Sequence, residues 1–247
     1  MVAAPVTHDA LLGGAVRFVQ PAVGYRVNVD SLLLAAFAAS GRRARLAVDL
    51  GAGVGVVSLL VHHQGGARDL ALVERDPFYA ELAEQNLATA EASGRVFVRD
   101  LSRDGLPREL EAGAELVVSN PPFFLESEHR PPKNAERRGA RLGEIEPFVR
   151  AARRALSGER ARAVFVYPAR ALPELLRAAE AVKLLPKRLR FVHAYADRPA
   201  RLALVELRYA KPGGLVVEPP LVEWTRPGRR SSELVELTGA AKAVDRK

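Results

Sequence analysis

Leu46-Ala47-Val48-Asp49-Leu50-Gly51-Ala52-Gly53-Val54-Gly55 carries the clearest structural signal in the chain. Leu46 to Leu50 reads as a buried strand, and Val56 to His62 reads as a helix. Between them, glycines at alternate positions allow a sharp turn and the close approach of a ligand to the backbone. A strand running through such a turn into a helix is one βα unit of an α/β protein.

The same alternation continues downstream. Leu70–Glu74, Val96–Asp100, Glu115–Ser119 and Ala163–Tyr167 read as strands. Pro77–Ala92, Glu144–Leu156 and Leu172–Val182 read as helices, the first with a proline in its opening turn. Upstream, Ser31–Phe37 reads as a helix with Asp30 as its cap. This order predicts a parallel sheet with helices on both faces. Arg188–Ala194 and Leu202–Tyr209 are strands joined by too few residues for a crossover helix, so they are expected to pair antiparallel. The basic, polar stretch Leu125–Arg141 reads as a loop, and the tail after Gly239 is expected to fray. One domain over 1–247 is expected, with an N-terminal segment and helix over 1–45 and the core over 46–238.

Composition narrows the chemistry. Among 247 residues there is no cysteine, which excludes disulfides, cysteine-held zinc, iron–sulfur clusters and thiol nucleophiles. The five histidines show no ligand spacing with acids, so no metal is expected. The formal charge of +8 favours polyanionic partners, although the excess of arginine over lysine also fits a GC-rich genome. No signal peptide and no membrane-length apolar run is visible, so the expected location is the cytoplasm.

The candidate site residues follow the strand ends. The turn of Asp49, Gly51, Gly53 and Gly55 departs from the GxGxxG spacing of dinucleotide sites, and alone it is equally a tight βα connection. Glu74 closes the next strand about 25 residues beyond Asp49, where a carboxylate accepts hydrogen bonds from ribose hydroxyls. Asp100 closes the third strand, placed to accept from an adenine amino group, with Leu101 beside the ring.

Asn120-Pro121-Pro122-Phe123 then follows the fourth strand, at the edge where open α/β sheets bind ligands. An exocyclic amine on adenine is a poor nucleophile because its lone pair is delocalised into the ring. The Asn120 side-chain oxygen and a backbone carbonyl can each accept one N–H, which favours a pyramidal nitrogen. Pro121 stiffens the loop and has no N–H to offer. Phe123 or Phe124 can stack on the base, worth about 1–3 kcal/mol.

Asn120–Phe123 resembles the [DNS]-P-P-[YFW] motif of amino-methyltransferases. Gln20–Leu34, Ala200–Leu207 and Glu218–Leu221 resemble, more narrowly, the bacterial tRNA valine-specific adenine N6-methyltransferase family. The resemblance runs from about Val16 to Trp224. It implies the Rossmann-like class I methyltransferase fold, a seven-stranded, mostly parallel sheet with one antiparallel strand. It implies S-adenosyl-L-methionine as cofactor, and RNA, specifically the tRNA adenosine just 3′ of the anticodon, as acceptor. It assigns Asn120–Phe123 to the amine site and Asp49, Gly51, Glu74 and Asp100 to the cofactor site, with Tyr25, Asn28 and Asp30 near the methionine end. Phe123 stands where related enzymes often have tyrosine, so stacking survives but a hydroxyl is lost.

Arg130, Lys133, Arg137, Arg138 and Arg141, just after the motif, are the first candidates for phosphate contacts. Arg150, Arg153 and Arg154 extend that patch along a helix, and Arg226, Arg229 and Arg230 are weaker candidates. Other readings stay open: N5 of a protein glutamine or another amino acceptor such as rRNA or DNA adenine, a nicotinamide-dependent oxidoreductase, or a non-catalytic RNA-binding protein. The oxidoreductase leaves Asn120–Phe123 without a task. The glutamine enzymes usually carry a helical N-terminal domain, for which about 45 residues leave little room.

Overall fold

Ahead of the first expected strand, the chain forms a hairpin that the hydrophobic pattern does not reveal. Strands β1 (Val6–Leu11) and β2 (Val16–Pro21) pair antiparallel. No residue of β1 is fully buried, so no apolar face marks it, whereas β2 turns Val16 and Phe18 into the core. The computed structural model describes residues 5–24, 26–122, 145–209 and 212–239.

Helix α1 (Val29–Ala39) begins two residues earlier than a cap at Asp30 allows. The expectation is corrected: Asn28 is the cap. Its backbone is extended, and its side-chain oxygen accepts the Asp30 N–H at 3.0 Å. Asp30 instead sits buried in the first turn with its carboxylate on Arg201.

The expected alternation then unfolds as β3 (Ala44–Leu50), α2 (Val56–His63), β4 (Ala67–Glu74), α3 (Pro77–Thr89), β5 (Gly94–Val98) and β6 (Leu116–Ser119). It continues as α4 (Glu146–Ala155), β7 (Arg162–Pro168), α5 (Leu172–Ala181), β8 (Leu185–His193) and β9 (Ala200–Arg208). The third expected strand is corrected at its end: β5 stops at Val98, and Asp100 stands in the following turn, where its Oδ1 accepts the Ser102 N–H at 2.8 Å. The stretch Leu125–Arg141 and the tail after Gly239 lie outside the described residues.

The seven long strands lie in the order β5-β4-β3-β6-β7-β9-β8. All neighbours from β5 to β7 are parallel, and β9 runs antiparallel to both β7 and β8. Two further two-residue strands, β10 (Val216–Val217) and β11 (Leu221–Val222), line the free edge of β8 and bring the sheet to nine. A small hairpin of β12 (Trp224–Arg226) and β13 (Arg229–Arg230) follows, then α6 (Ser232–Thr238).

Alternate residues of β7 show how the sheet divides the core. Val164 and Val166 join the cluster under α1, α2 and the N-terminal hairpin, while Ala163, Phe165 and Tyr167 join the cluster under α4 and α5. Leu34, Leu60 and Leu175 are completely enclosed, each contributing about 1.5–3 kcal/mol. With both faces covered, the ends of β3, β4, β6 and β7 open on one edge. The connections diverge there: from β3 the chain moves to β4, while β6 lies on the opposite side. Such a reversal leaves a crevice, the usual ligand position in open α/β sheets.

Candidate active site

The crevice is built around the glycine turn after β3. Gly51 and Ala52 donate their N–H groups to Val73 O at 2.8 and 3.1 Å, tying the turn to β4. Gly51 has φ +73°, and a Cβ there would sit 2.9 Å from Cε1 of Phe148 on α4. Any side chain at this position meets both backbone strain and a ring. Gly53, at φ +55°, is different: nothing lies within 4 Å of where its Cβ would be. The space above this part of the backbone is an open cradle.

Two carboxylates flank the cradle. Glu74 ends β4 and accepts the Gly53 N–H on Oε2 at 2.8 Å and the Asp76 N–H on Oε1 at 2.9 Å. These bonds fix its orientation and leave further lone pairs for ligand hydroxyls. Asp49 is 1 % exposed and accepts the Ser58 hydroxyl at 2.9 Å. Burial pushes its carboxyl up to about 7; the hydrogen bonds from the Ser58 hydroxyl and backbone oppose this, and the Glu74 charge reinforces it.

Asp100 and Leu101 follow β5, half-buried, beside an open cleft of about 610 Å3 whose lining includes Arg75, Asp76, Val98 and Asp100. A smaller cavity of about 370 Å3, lined by Arg42, Glu115, Arg160 and Arg162 among others, lies at the opposite, amino-terminal edge of the strands.

Asn120 enters from β6. The register pairs Asp49 with Val118, so Asn120 leaves its strand level with the glycine turn. Ser119, fully buried, donates its hydroxyl to Leu50 O at 2.8 Å and fastens the two strand ends together. Asn120 is half-buried, Pro121 buried and Pro122 exposed. The structure thus brings Asp49, Gly51, Gly53, Gly55, Glu74 and Asn120 to one edge. Phe123, Tyr25, Arg130, Lys133, Arg137, Arg138 and Arg141 lie outside the described residues.

Asn28 and Asp30 reach the same edge with much of their bonding already committed. Asn28 caps α1, and Asp30 accepts from Arg201 at 2.9 Å. Arg201 also donates to both oxygens of buried Glu223, at 2.7 and 2.6 Å. Burial alone would lower the Arg201 guanidinium, but the hydrogen bonds and charges of Glu223 and Asp30 outweigh it and hold it above its ordinary value. The helix arginines are engaged too: Arg150 with Glu146, Arg154 with Glu111, and Arg153 over the Tyr209 ring at 4.0 Å.

Sequence reasoning missed four residues that position the site: Ser119, Phe148, Arg201 and Asn86. Asn86 on α3 is completely buried. Its amide donates to Val19 O and Val54 O, both at 2.9 Å, and its oxygen accepts the Val19 N–H, so it stitches β2 to the glycine turn. A polar residue between Leu82, Ala83 and Leu87 on an apolar helix face was the signal available.

Comparison with known proteins identifies the family. Residues 26–138 match the model of the methyltransferase small domain. The tRNA1(Val) (adenine(37)-N6)-methyltransferase of Porphyromonas gingivalis is 31% identical over 201 residues, covering 77% of each chain. A release factor glutamine methyltransferase of Mycolicibacterium smegmatis is 37% identical over 112 residues, 45% of this chain and 39% of that protein. Among solved structures, a predicted O-methyltransferase from Agrobacterium tumefaciens superposes with a TM-score of 0.66 at 22% identity, over 86% of this chain and 97% of that one. The chain belongs to the family of the tRNA1(Val) (adenine(37)-N6)-methyltransferases, S-adenosylmethionine-dependent enzymes of the class I methyltransferase fold.

Proposed function

We propose that this protein methylates N6 of an adenine in tRNA, next to the anticodon, in the cytoplasm. The observation that carries this reading is the placement of Asn120, pinned through Ser119 at the mouth of the glycine turn. The name of the Porphyromonas gingivalis relative supplies the acceptor: the match covers 77% of that protein, against 39% of the glutamine enzyme.

The residues present fit S-adenosylmethionine. The open space over Gly53 admits its backbone-hugging portion, Glu74 offers acceptors to ribose hydroxyls, and Asp100 offers one to the adenine amine. Asp49, once ionised, would add negative charge to a site that holds a cationic ligand. When bound, the cofactor supplies an electrophilic methyl group on a sulfonium. Asn120 and a neighbouring carbonyl of the proline pair accept the two N–H bonds of the target amine. They thereby turn its lone pair out of conjugation and hold it in line. This is catalysis by positioning and by hydrogen bonds strongest in the transition state. The surplus proton leaves to water after transfer, so Asn120 need not act as a base.

Two variants test the division of labour. Asn120→Ala should lower kcat on tRNA by about 10²–10³ while the cofactor Kd changes little, as for loss of one transition-state hydrogen bond. Glu74→Ala should raise the cofactor Kd instead. Near-normal turnover by Asn120→Ala would remove that residue from the chemistry.

A further inference from the structure

We propose that the β12–β13 hairpin is a second docking point for the RNA backbone, set apart from the methylation crevice. The proposal rests on the RNA reading above and concerns how the substrate is gripped.

Topology places the hairpin on the functional edge. β8 is antiparallel to β9, which is antiparallel to β7, so β8 ends on the same edge as β6 and β7. β11 runs parallel to β8, pairing Val222 with His193, and Trp224 donates its N–H to Ala194 O at 3.0 Å as the chain leaves that edge. From β6 to β11 is four strand spacings, roughly 19 Å at about 4.8 Å each. A polynucleotide whose target base enters at Asn120 therefore meets the hairpin with nucleotides several positions away.

The chemistry suits a phosphate backbone. Residues 224–230 read Trp-Thr-Arg-Pro-Gly-Arg-Arg, with no carboxylate. Arg226, Arg229 and Arg230 are exposed, and neither the Arg229 nor the Arg230 guanidinium forms an ion pair with any described residue. The Arg230 guanidinium lies 5.7 Å from the centre of the half-buried Trp224 ring. Arginine beside an aromatic ring is the pairing that holds single-stranded nucleic acid, charge for the phosphate and a flat face for a base.

The hairpin's root is rigid while its tip is solvated. Glu223, just before it, bonds backbone to backbone with His193 and Ser231 and holds Arg201, which in turn holds Asp30 at the start of α1. Ser231, just after it, caps α6 through the Leu234 N–H. Arg229 and Arg230 are thus presented from a fixed base without an acidic partner among the described residues.

The test compares wild-type protein with R229A/R230A and R229K/R230K, using total tRNA from cells lacking this activity, between about 50 and 200 mM salt. In R229A/R230A, KM for tRNA should rise about tenfold with kcat changed less than about twofold. The slope of log kcat/KM against log salt should flatten by about 1.5, as for two lost phosphate contacts. R229K/R230K should keep most of the slope. An unchanged KM and slope in R229A/R230A, while wild-type protein methylates the tRNA, overturns the docking proposal alone. If wild-type protein methylates no RNA, the RNA reading falls and this proposal with it.

Discussion

Asp49 is the residue whose chemistry departs most from its ordinary behaviour. A carboxyl held at about 7 in the folded chain, against 3.8 in a free one, keeps its proton more tightly when folded. Its favourable contribution to stability is fully present below about pH 4 and is lost as pH rises through about 7. Asparagine can replace it at the same size without a charge to bury. The Tm difference between Asp49→Asn and wild type should therefore shift in the variant's favour between pH 5 and pH 8. Thermal melts at the two pH values check this, and a difference that does not move would contradict the burial argument. The fold tolerates this cost beside the Gly53 cradle, where a cationic ligand would take up the charge.

At the scale of elements, the site depends on links between segments that the hydrophobic pattern treats separately. The βα units were legible because the central residues of β3, β4, β6 and β7 are buried on both faces and read as short apolar runs. The Asp49 to Gly55 turn, Glu74 and Asn120 were legible because each stands at the end of such a run. The N-terminal hairpin was not, since β1 never presents a buried face, and neither were the two-residue strands β10 and β11, too short to show any period. Asp30 as a cap was misread because Asn28, two residues earlier, competes for the same role and wins by accepting the Asp30 N–H.

Asn86 shows what local patterns omit: its value lies in partners 67 and 32 residues away. Asn86→Ala would strand buried backbone groups of Val19 and Val54 at a cost of about 3 kcal/mol. For a chain of this size that lowers Tm by about 6–12 °C. The cofactor Kd should also rise, because Val54 belongs to the glycine turn. A melting temperature within about 2 °C of wild type would show that the hairpin is held by other means.

For the whole molecule, one edge of the sheet gathers the glycine turn, the Asn120 loop, the start of α1 and the C-terminal hairpin. The whole chain carries a net charge of +8, a long-range attraction for a polyanion. The deciding measurement is transfer of a labelled methyl group from S-adenosylmethionine to protein-free tRNA from cells lacking this activity, followed by nucleoside analysis. The account predicts label in N6-methyladenosine with wild-type protein and its near-complete loss with Asn120→Ala. Label that appears only on a protein glutamine, or in RNA at full strength with Asn120→Ala, would contradict it.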